Sequence, residues 1–446
     1  MNNYFVEKGL VGAEYSGKWF LYDVSCKKFL VYNSEKRIRE HLKSCLEDVE
    51  IIPEPDFTGP ATAAAITLTT RCNMECDYCF VKPVAKKMDM PVNVVRDAVN
   101  AIGKQTDDDI TLFAWGGEPT LNRDGLLAMV TEAEKYPNIK ICLVTNGIIN
   151  EAFLIELLSY KNLVFQISYD GNTQHDKQKP LQSNIRSLPQ VLNSIEMISR
   201  VTKRLALRAT VTKNNISELR ESLLLTVAKY TNRLMIEHIH TFNGKAIGLD
   251  DLAPDFDEFN DLVFNTINIA EKNGIHVKVL PLDHLRAGGP NDKMTFLNFL
   301  PDRNIGVSNA VIDSQHKHFP FVHIGNLKQD TIQYNVDQGE SLANRYLMHY
   351  KELCKNCIVR PVCRGSVQRY LFITNNKTID KWNDLRCKYF ISIYKRWMHS
   401  MVQEIQKEES DDFEGNVLLK YPIDKIHYPM LVMDGGLGLK FQEFDE

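Results

Sequence analysis

From Ala65 to Ile239 the sequence alternates strand-like and helix-like segments, and this alternation narrows the available folds more than any other feature. Strand-like runs lie at Ala65–Thr70, Ile110–Trp115, Ile139–Thr145, Leu163–Tyr169, Leu205–Val211 and Leu234–Ile239. Helical patterns fall between them, near Pro91–Ile102, Asp124–Lys135, Glu151–Ser159, Leu188–Ser199 and Ser217–Lys229. The first of these starts on proline and stops at Gly103, the polarity those two residues favour. Strands each trailed by a helix imply a parallel sheet, and right-handed crossovers curl it into a barrel or partial barrel. Chemistry in such folds gathers at the C-terminal ends of the strands. Cys72 follows the first strand, Gly116-Gly117-Glu118 the second, Asn146-Gly147 the third and Asp170-Gly171 the fourth.

The loop after the first strand reads Thr70-Arg-Cys-Asn-Met-Glu-Cys-Asp-Tyr-Cys-Phe80. Its thiols, Cys72, Cys76 and Cys79, are spaced to converge on one metal cluster, yet they lack the fourth ligand of a closed site. A [4Fe–4S] cluster held by three cysteines keeps one iron open, and an open position is where substrate chemistry happens.

This spacing, with Tyr78 just before the third cysteine, resembles the radical S-adenosylmethionine (radical SAM) superfamily. The resemblance implies that the open iron chelates the amino and carboxylate groups of SAM. Trp115-Gly116-Gly117-Glu118-Pro119 is similar to the glycine-glycine-glutamate motif of these barrels: glycines permit close backbone approach, and the carboxylate is expected to accept from the SAM ammonium group. Tyr78 matches the aromatic beside the adenine of SAM. Ser168, in Ile167-Ser-Tyr-Asp-Gly171, and Arg208 on the fifth strand are the further SAM-contact candidates; an ordinary place in a barrel layer is the alternative for both. Asp170 and His240 are the candidate catalytic groups. His238 and His240 lie two apart on the sixth strand and so share a face; core histidines are the simpler reading of both.

A second cysteine group, Cys354, Cys357, Cys363 and Cys387, can saturate one iron–sulfur cluster or one zinc ion. It resembles the SPASM and shorter "twitch" extensions of radical SAM enzymes that modify peptides and proteins. Full SPASM extensions hold two auxiliary clusters. Here the usual further cysteine falls at Val367, and none lies between Cys142 and Cys354, so one auxiliary cluster is expected. Cys26, Cys45 and Cys142 have no partners at ligand spacing, and Cys142 reads as a buried small hydrophobe.

At 446 residues, the chain has room for roughly two to three domains. The expected division is a short N-terminal α+β unit at 1–58, a cap or peptide-recognition element; an α/β partial (β/α)6 barrel at 62–300; a SPASM/twitch-like cluster domain with a C-terminal helix at 301–408; and an acidic tail at 409–446. Strands at Lys18–Asp23 and Phe29–Tyr32 and a helix at Glu35–Leu46 are expected in the first unit. Residues 305–383 read as irregular with weak strand signals, followed by a clear helix at Asp384–Gln406. A formal net charge of −4 gives no electrostatic case for nucleic acid or an anionic membrane. The N-terminus lacks a signal-peptide pattern, and no apolar run approaches the ~20 residues of a membrane span. A cytoplasmic protein is therefore expected, in which thiols stay reduced and serve as metal ligands.

The function implied by the resemblance is reductive cleavage of SAM to a 5′-deoxyadenosyl radical, which takes hydrogen from a peptide or protein side chain. The outcome would be a thioether or carbon–carbon cross-link, or an oxidation. Two [4Fe–4S] clusters and SAM are the implied cofactors, and a precursor peptide and a flavodoxin- or ferredoxin-type electron donor the implied partners. Formylglycine formation is the alternative enzymatic reading, and a non-catalytic iron–sulfur carrier or scaffold the alternative outside enzymes.

Overall fold

The computed structural model describes residues 4–7, 10–15, 17–23, 28–44, 56–61, 63–82, 86–239, 249–287, 296–354, 357–363, 385–408 and 415–418. Sequence expectations for Cys26, Cys45, His240 and Val367 fall outside them.

An eleven-stranded sheet forms the centre. Its parallel part runs in chain order through β5 (Ala63–Thr69), β6 (Ile110–Gly116), β7 (Ile139–Thr145), β8 (Leu163–Ser168), β9 (Leu205–Val211), β10 (Arg233–His238) and β11 (His276–Lys278). These strands are buried on both faces, as helix-covered parallel sheets are. Alternate residues enter different cores. Ala64, Ile66, Leu112, Ala114, Ile141 and Leu143 join the large core, whereas Ala65, Phe113, Trp115, Cys142 and Val144 cluster on the inner face. The two-residue period of a strand makes that division.

The sheet goes further at its β5 edge than the expected barrel strands. β12 (Phe296–Phe299) pairs parallel with β5, and an antiparallel run of β13 (Asn304–Gly306), β14 (His323–Lys328) and β15 (Thr331–Tyr334) continues that edge. The reading of 305–383 as irregular is corrected by an eighteen-residue helix, Val336–Leu353. The Asn335 side chain caps it, accepting from the Gln338 amide at 3.1 Å, and Leu342, Tyr346 and Tyr350 bury one stripe of it.

The N-terminal unit is a second sheet of β1 (Tyr4–Glu7), β2 (Leu10–Tyr15), β3 (Lys18–Asp23) and β4 (Lys28–Tyr32), followed by the helix Glu35–Ser44. A strand from the far end of the chain, β16 (Gly415–Leu418), pairs antiparallel with β4, so part of the stretch read as a tail belongs to this sheet. The final helix, Leu385–Glu408, joins the two halves. Tyr389 packs edge-on against Phe259, in the helix Phe256–Lys272 behind the large sheet, at 5.1 Å between ring centroids. Trp397 packs against Tyr22 of β3 at 4.9 Å. No helix among the described residues is long and apolar enough to cross a membrane.

Candidate active site

The cysteine loop lies at the C-terminal end of β5, and its base is tied down on several sides. Thr69 and Arg71 both bind Asp89: the hydroxyl donates at 2.6 Å and the guanidinium at 2.9 and 2.6 Å. The neighbouring strand exit crosses directly over it. The Gly117 and Glu118 amides donate to the Thr69 and Arg71 carbonyls at 2.9 and 2.8 Å. A Cβ on Gly116 would come 2.0 Å from the Thr69 oxygen, and one on Gly117 2.1 Å from the Arg71 oxygen. Gly116 also has φ +137°, which favours glycine. The close approach these glycines permit is thus to the cysteine loop itself.

Glu118 lies between the exits of β6 and β7. It is 1% exposed. Oε1 accepts from the Thr120 amide (3.1 Å) and from the hydroxyls of Thr120 (2.7 Å) and Thr145 (2.8 Å), and Oε2 accepts from the Asn146 amide (2.8 Å). Burial raises its pKa, against the pull of these four donors. Glu118 thus fastens the exits of β6 and β7 together. Thr120 and Thr145 carried no local sequence signal for this role.

The three loop thiols are in no disulfide and stand within electrostatic reach of one another. Burial pushes the Cys72 thiol up to about 11 and drives Cys76 well above the ordinary range. Such thiols lose their protons when a metal binds them. Among the described residues no three His, Cys, Asp or Glu side chains are placed to hold a single metal ion. Three cysteines on one loop without a fourth are the donor set of an iron–sulfur cluster with one open corner.

At the exit of β8, Asp170 is fully buried. It accepts from the Tyr78 hydroxyl and from the Thr210 amide (3.0 Å), and Lys179 Nζ lies 3.4 Å from Oδ1. Its own amide donates to His175 Nδ1 at 3.1 Å. Tyr78 is thus anchored through its hydroxyl at this corner. Asp170, enclosed by these donors, is a structural anchor rather than an accessible acid or base. Ser168 and Arg208 are register partners on β8 and β9. Arg208 is committed to Glu237 of β10, through Nε at 2.8 Å and a second contact from its terminal nitrogen, a partner the sequence reading did not identify. His238 faces the helices, stacked on Phe256 at 6.1 Å and tilted against Tyr389 at 5.0 Å, as a core histidine does. Cys142 lies on the inner face of the sheet, where burial pushes its thiol up to about 12.

The second cysteine group lies on helix ends. Cys354 caps the helix Val336–Leu353, and the Cys357 amide donates back to its carbonyl at 3.0 Å. Cys363 ends the short helix Arg360–Cys363, and Cys387 stands in the first turn of the final helix. Both of those helices pack against one helix, Leu280–Ala287.

Residues 66–225, which carry the cysteine loop and most of the strands from β5 to β9, match the model of the radical SAM superfamily. The chain is 23% identical to the radical SAM cyclopropyl synthase TigE of Paramaledivibacter caminithermalis, over 56% of this chain and 55% of that protein. It is 26% identical to the pre-heme d1 synthase of Dinoroseobacter shibae, over 40% of this chain and 44% of that one. It therefore spans about half the length of these two relatives. Among solved structures, anSMEcpe with bound AdoMet superposes with a TM-score of 0.59 at 16% identity, covering 78% of this chain and 100% of that one. Streptococcus suis SuiB bound to precursor peptide SuiA gives 0.51 at 11% identity, covering 84% and 98%. These likenesses establish a shared fold.

Proposed function

We propose that the chain is a radical SAM enzyme that modifies a side chain of a peptide or small protein, forming a thioether or carbon–carbon cross-link or an oxidised residue. Cys72, Cys76 and Cys79 hold a [4Fe–4S] cluster with one open iron, and Cys354, Cys357, Cys363 and Cys387 hold a second, closed one. When bound, the first cluster supplies the electron that cleaves SAM to a 5′-deoxyadenosyl radical. The chain itself binds, orients and shields. Gly116 and Gly117 let the exit of β6 lie on the cysteine loop, and Glu118 locks that exit to β7. Ser168 and Arg208, side by side on β8 and β9, are the SAM contacts, with Glu237 fixing the direction of the guanidinium.

The observation that carries this reading is the convergence of the exits of β5, β6, β7 and β8 on one three-thiol loop. The peptide substrate draws support from SuiB, solved with the precursor peptide SuiA, and anSMEcpe, solved with the Cp18Cys peptide. Protein reconstituted without oxygen and given SAM and dithionite should release methionine and 5′-deoxyadenosine. A cluster-loaded protein that forms neither sinks the enzymatic reading. A short peptide encoded beside this gene should then lose a pair of hydrogens by mass spectrometry; unchanged mass with SAM turnover intact would move the substrate elsewhere.

A further inference from the structure

A segment after β8 runs antiparallel along the cysteine loop. The Asp77 amide donates to the Gln178 carbonyl at 3.1 Å, and the Glu75 amide to the Pro180 carbonyl at 2.9 Å. Met74 bridges Leu181, the Gln182 amide donates to the Asn73 carbonyl at 3.1 Å, and the Gln182 side chain donates to the Cys72 carbonyl at 2.8 Å. Residues 75 and 77 flank Cys76, and their partners 178 and 180 flank Lys179. Cys76 and Lys179 therefore oppose one another across this short ladder.

Lys179 is 5% exposed. A lysine so enclosed is rare unless it is paired. Its Nζ lies 3.4 Å from Asp170 Oδ1 and 5.7 Å from the centre of the Tyr78 ring, so the ammonium group is held between that carboxylate and the cysteine loop.

We propose that Lys179 is a positioning residue that holds a fixed positive charge against the Cys76 side of the loop cluster and raises the potential at which that cluster is reduced. The inference rests on the reading that Cys72, Cys76 and Cys79 hold the cluster. Reduction adds one electron and makes the cluster more negative. A nearby cation in poorly hydrated surroundings favours the reduced state, because the interaction is screened less than in water. The anchoring of Tyr78 through Asp170 keeps the ammonium group in place.

The test is an EPR-monitored redox titration of the full chain, reconstituted with iron and sulfide, in wild type, Lys179→Met and Lys179→Arg. The loop cluster is recognised by the part of its signal that changes when SAM is added. Lys179→Met should hold wild-type iron and need a more negative potential for reduction, while Lys179→Arg should stay close to wild type. An unshifted midpoint in an iron-replete Lys179→Met protein overturns the proposal, as does an Arg variant shifted as far as the Met variant. If Lys179→Met loses the loop cluster, Lys179→Arg decides: a retained cluster at the wild-type potential supports the charge role, and its loss overturns it. A wild-type protein with no SAM-responsive signal overturns the cluster reading, and this proposal with it.

Discussion

The two cysteine groups are built in opposite ways. Cys72, Cys76 and Cys79 share one loop whose backbone is bonded on one side to the exit of β6 and on the other to the segment 178–182. Cys354, Cys363 and Cys387 sit at the ends of three separate helices, two of which meet on Leu280–Ala287. The first set is arranged by local backbone hydrogen bonds. The second is assembled by helix docking, so its ligand geometry depends on tertiary packing far from the sulfurs. A site of the first kind is damaged by changes within its own loop, and a site of the second kind also by loosening a helix.

The sharpest way to break the comparison is to delete each group. Wild type should carry about eight irons. Changing Cys72, Cys76 and Cys79 together to Ala should leave about four and abolish 5′-deoxyadenosine formation. Cys387→Ala should cost the other four and keep the SAM-responsive EPR signal, with slow SAM cleavage persisting while peptide modification stops. Cys387 stands in the first turn of the helix Leu385–Glu408, so its loss removes a ligand that is carried on a rigid mount. If Cys387→Ala retains all its iron, the second group is not built as described.

A smaller effect should follow from Gly117→Ala. Its new Cβ would stand 2.1 Å from the Arg71 oxygen, a backbone atom that cannot swing aside. A cost of about 3 kcal/mol is expected, with iron lost from the loop cluster alone. Gly274→Ala is the control. Gly274 has φ +65° but nothing within 4 Å of an added Cβ, so it should cost about 1 kcal/mol and no iron. Urea unfolding with iron analysis separates the two. Equal costs would mean that the crossing of loop and β6 exit is slack.

Much of this contrast was legible in the sequence where interactions are local. The strands β6 to β10 follow from short, largely apolar runs alternating with helical patterns, and the cysteine loop from spacing within a single exit. Glu118 is legible as a site residue, but its bonds to the Thr145 hydroxyl and the Asn146 amide are not, because they come from the exit of the next strand. Lys179 gave no signal at all; its meaning arises only when the segment 178–182 lies beside Cys76. The helix Val336–Leu353 escaped because its buried stripe is built mainly of tyrosines around Gly339, a residue that weakens a helical pattern. A Cβ on Gly339 would come 2.8 Å from the Thr58 side chain. Strand β16 pairs with a partner almost a whole chain away, which no local pattern reports.

The smallest expected effect concerns pH, and it should belong to the loop side of the molecule. His175 is fully buried behind Asp170, and its Nδ1 accepts the Asp170 amide proton. Protonating Nδ1 would set two N–H groups against each other, so the folded chain holds the ring neutral. Burial, aided by the nearby Lys179 ammonium group, pulls its pKa down from 6.5 to about 4. The folded pKa lies below the unfolded one, so between these values the unfolded chain binds more protons, and stability falls as pH drops. The contribution is fully present above about 6.5, shrinks toward 4 and has lost about 2 kcal/mol by pH 5. His276 and His318 are also pulled down to about 4, so the wild-type slope is shared. His175→Asn keeps an acceptor near the Asp170 amide and removes the titration. Unfolding free energies of the metal-free protein at pH 7.5 and pH 5 should differ less in this variant than in wild type, by about 2 kcal/mol. An identical pH dependence would mean that the corner around Asp170 opens before His175 is protonated, and that the backing of the cysteine loop is no firmer than the helix-borne site.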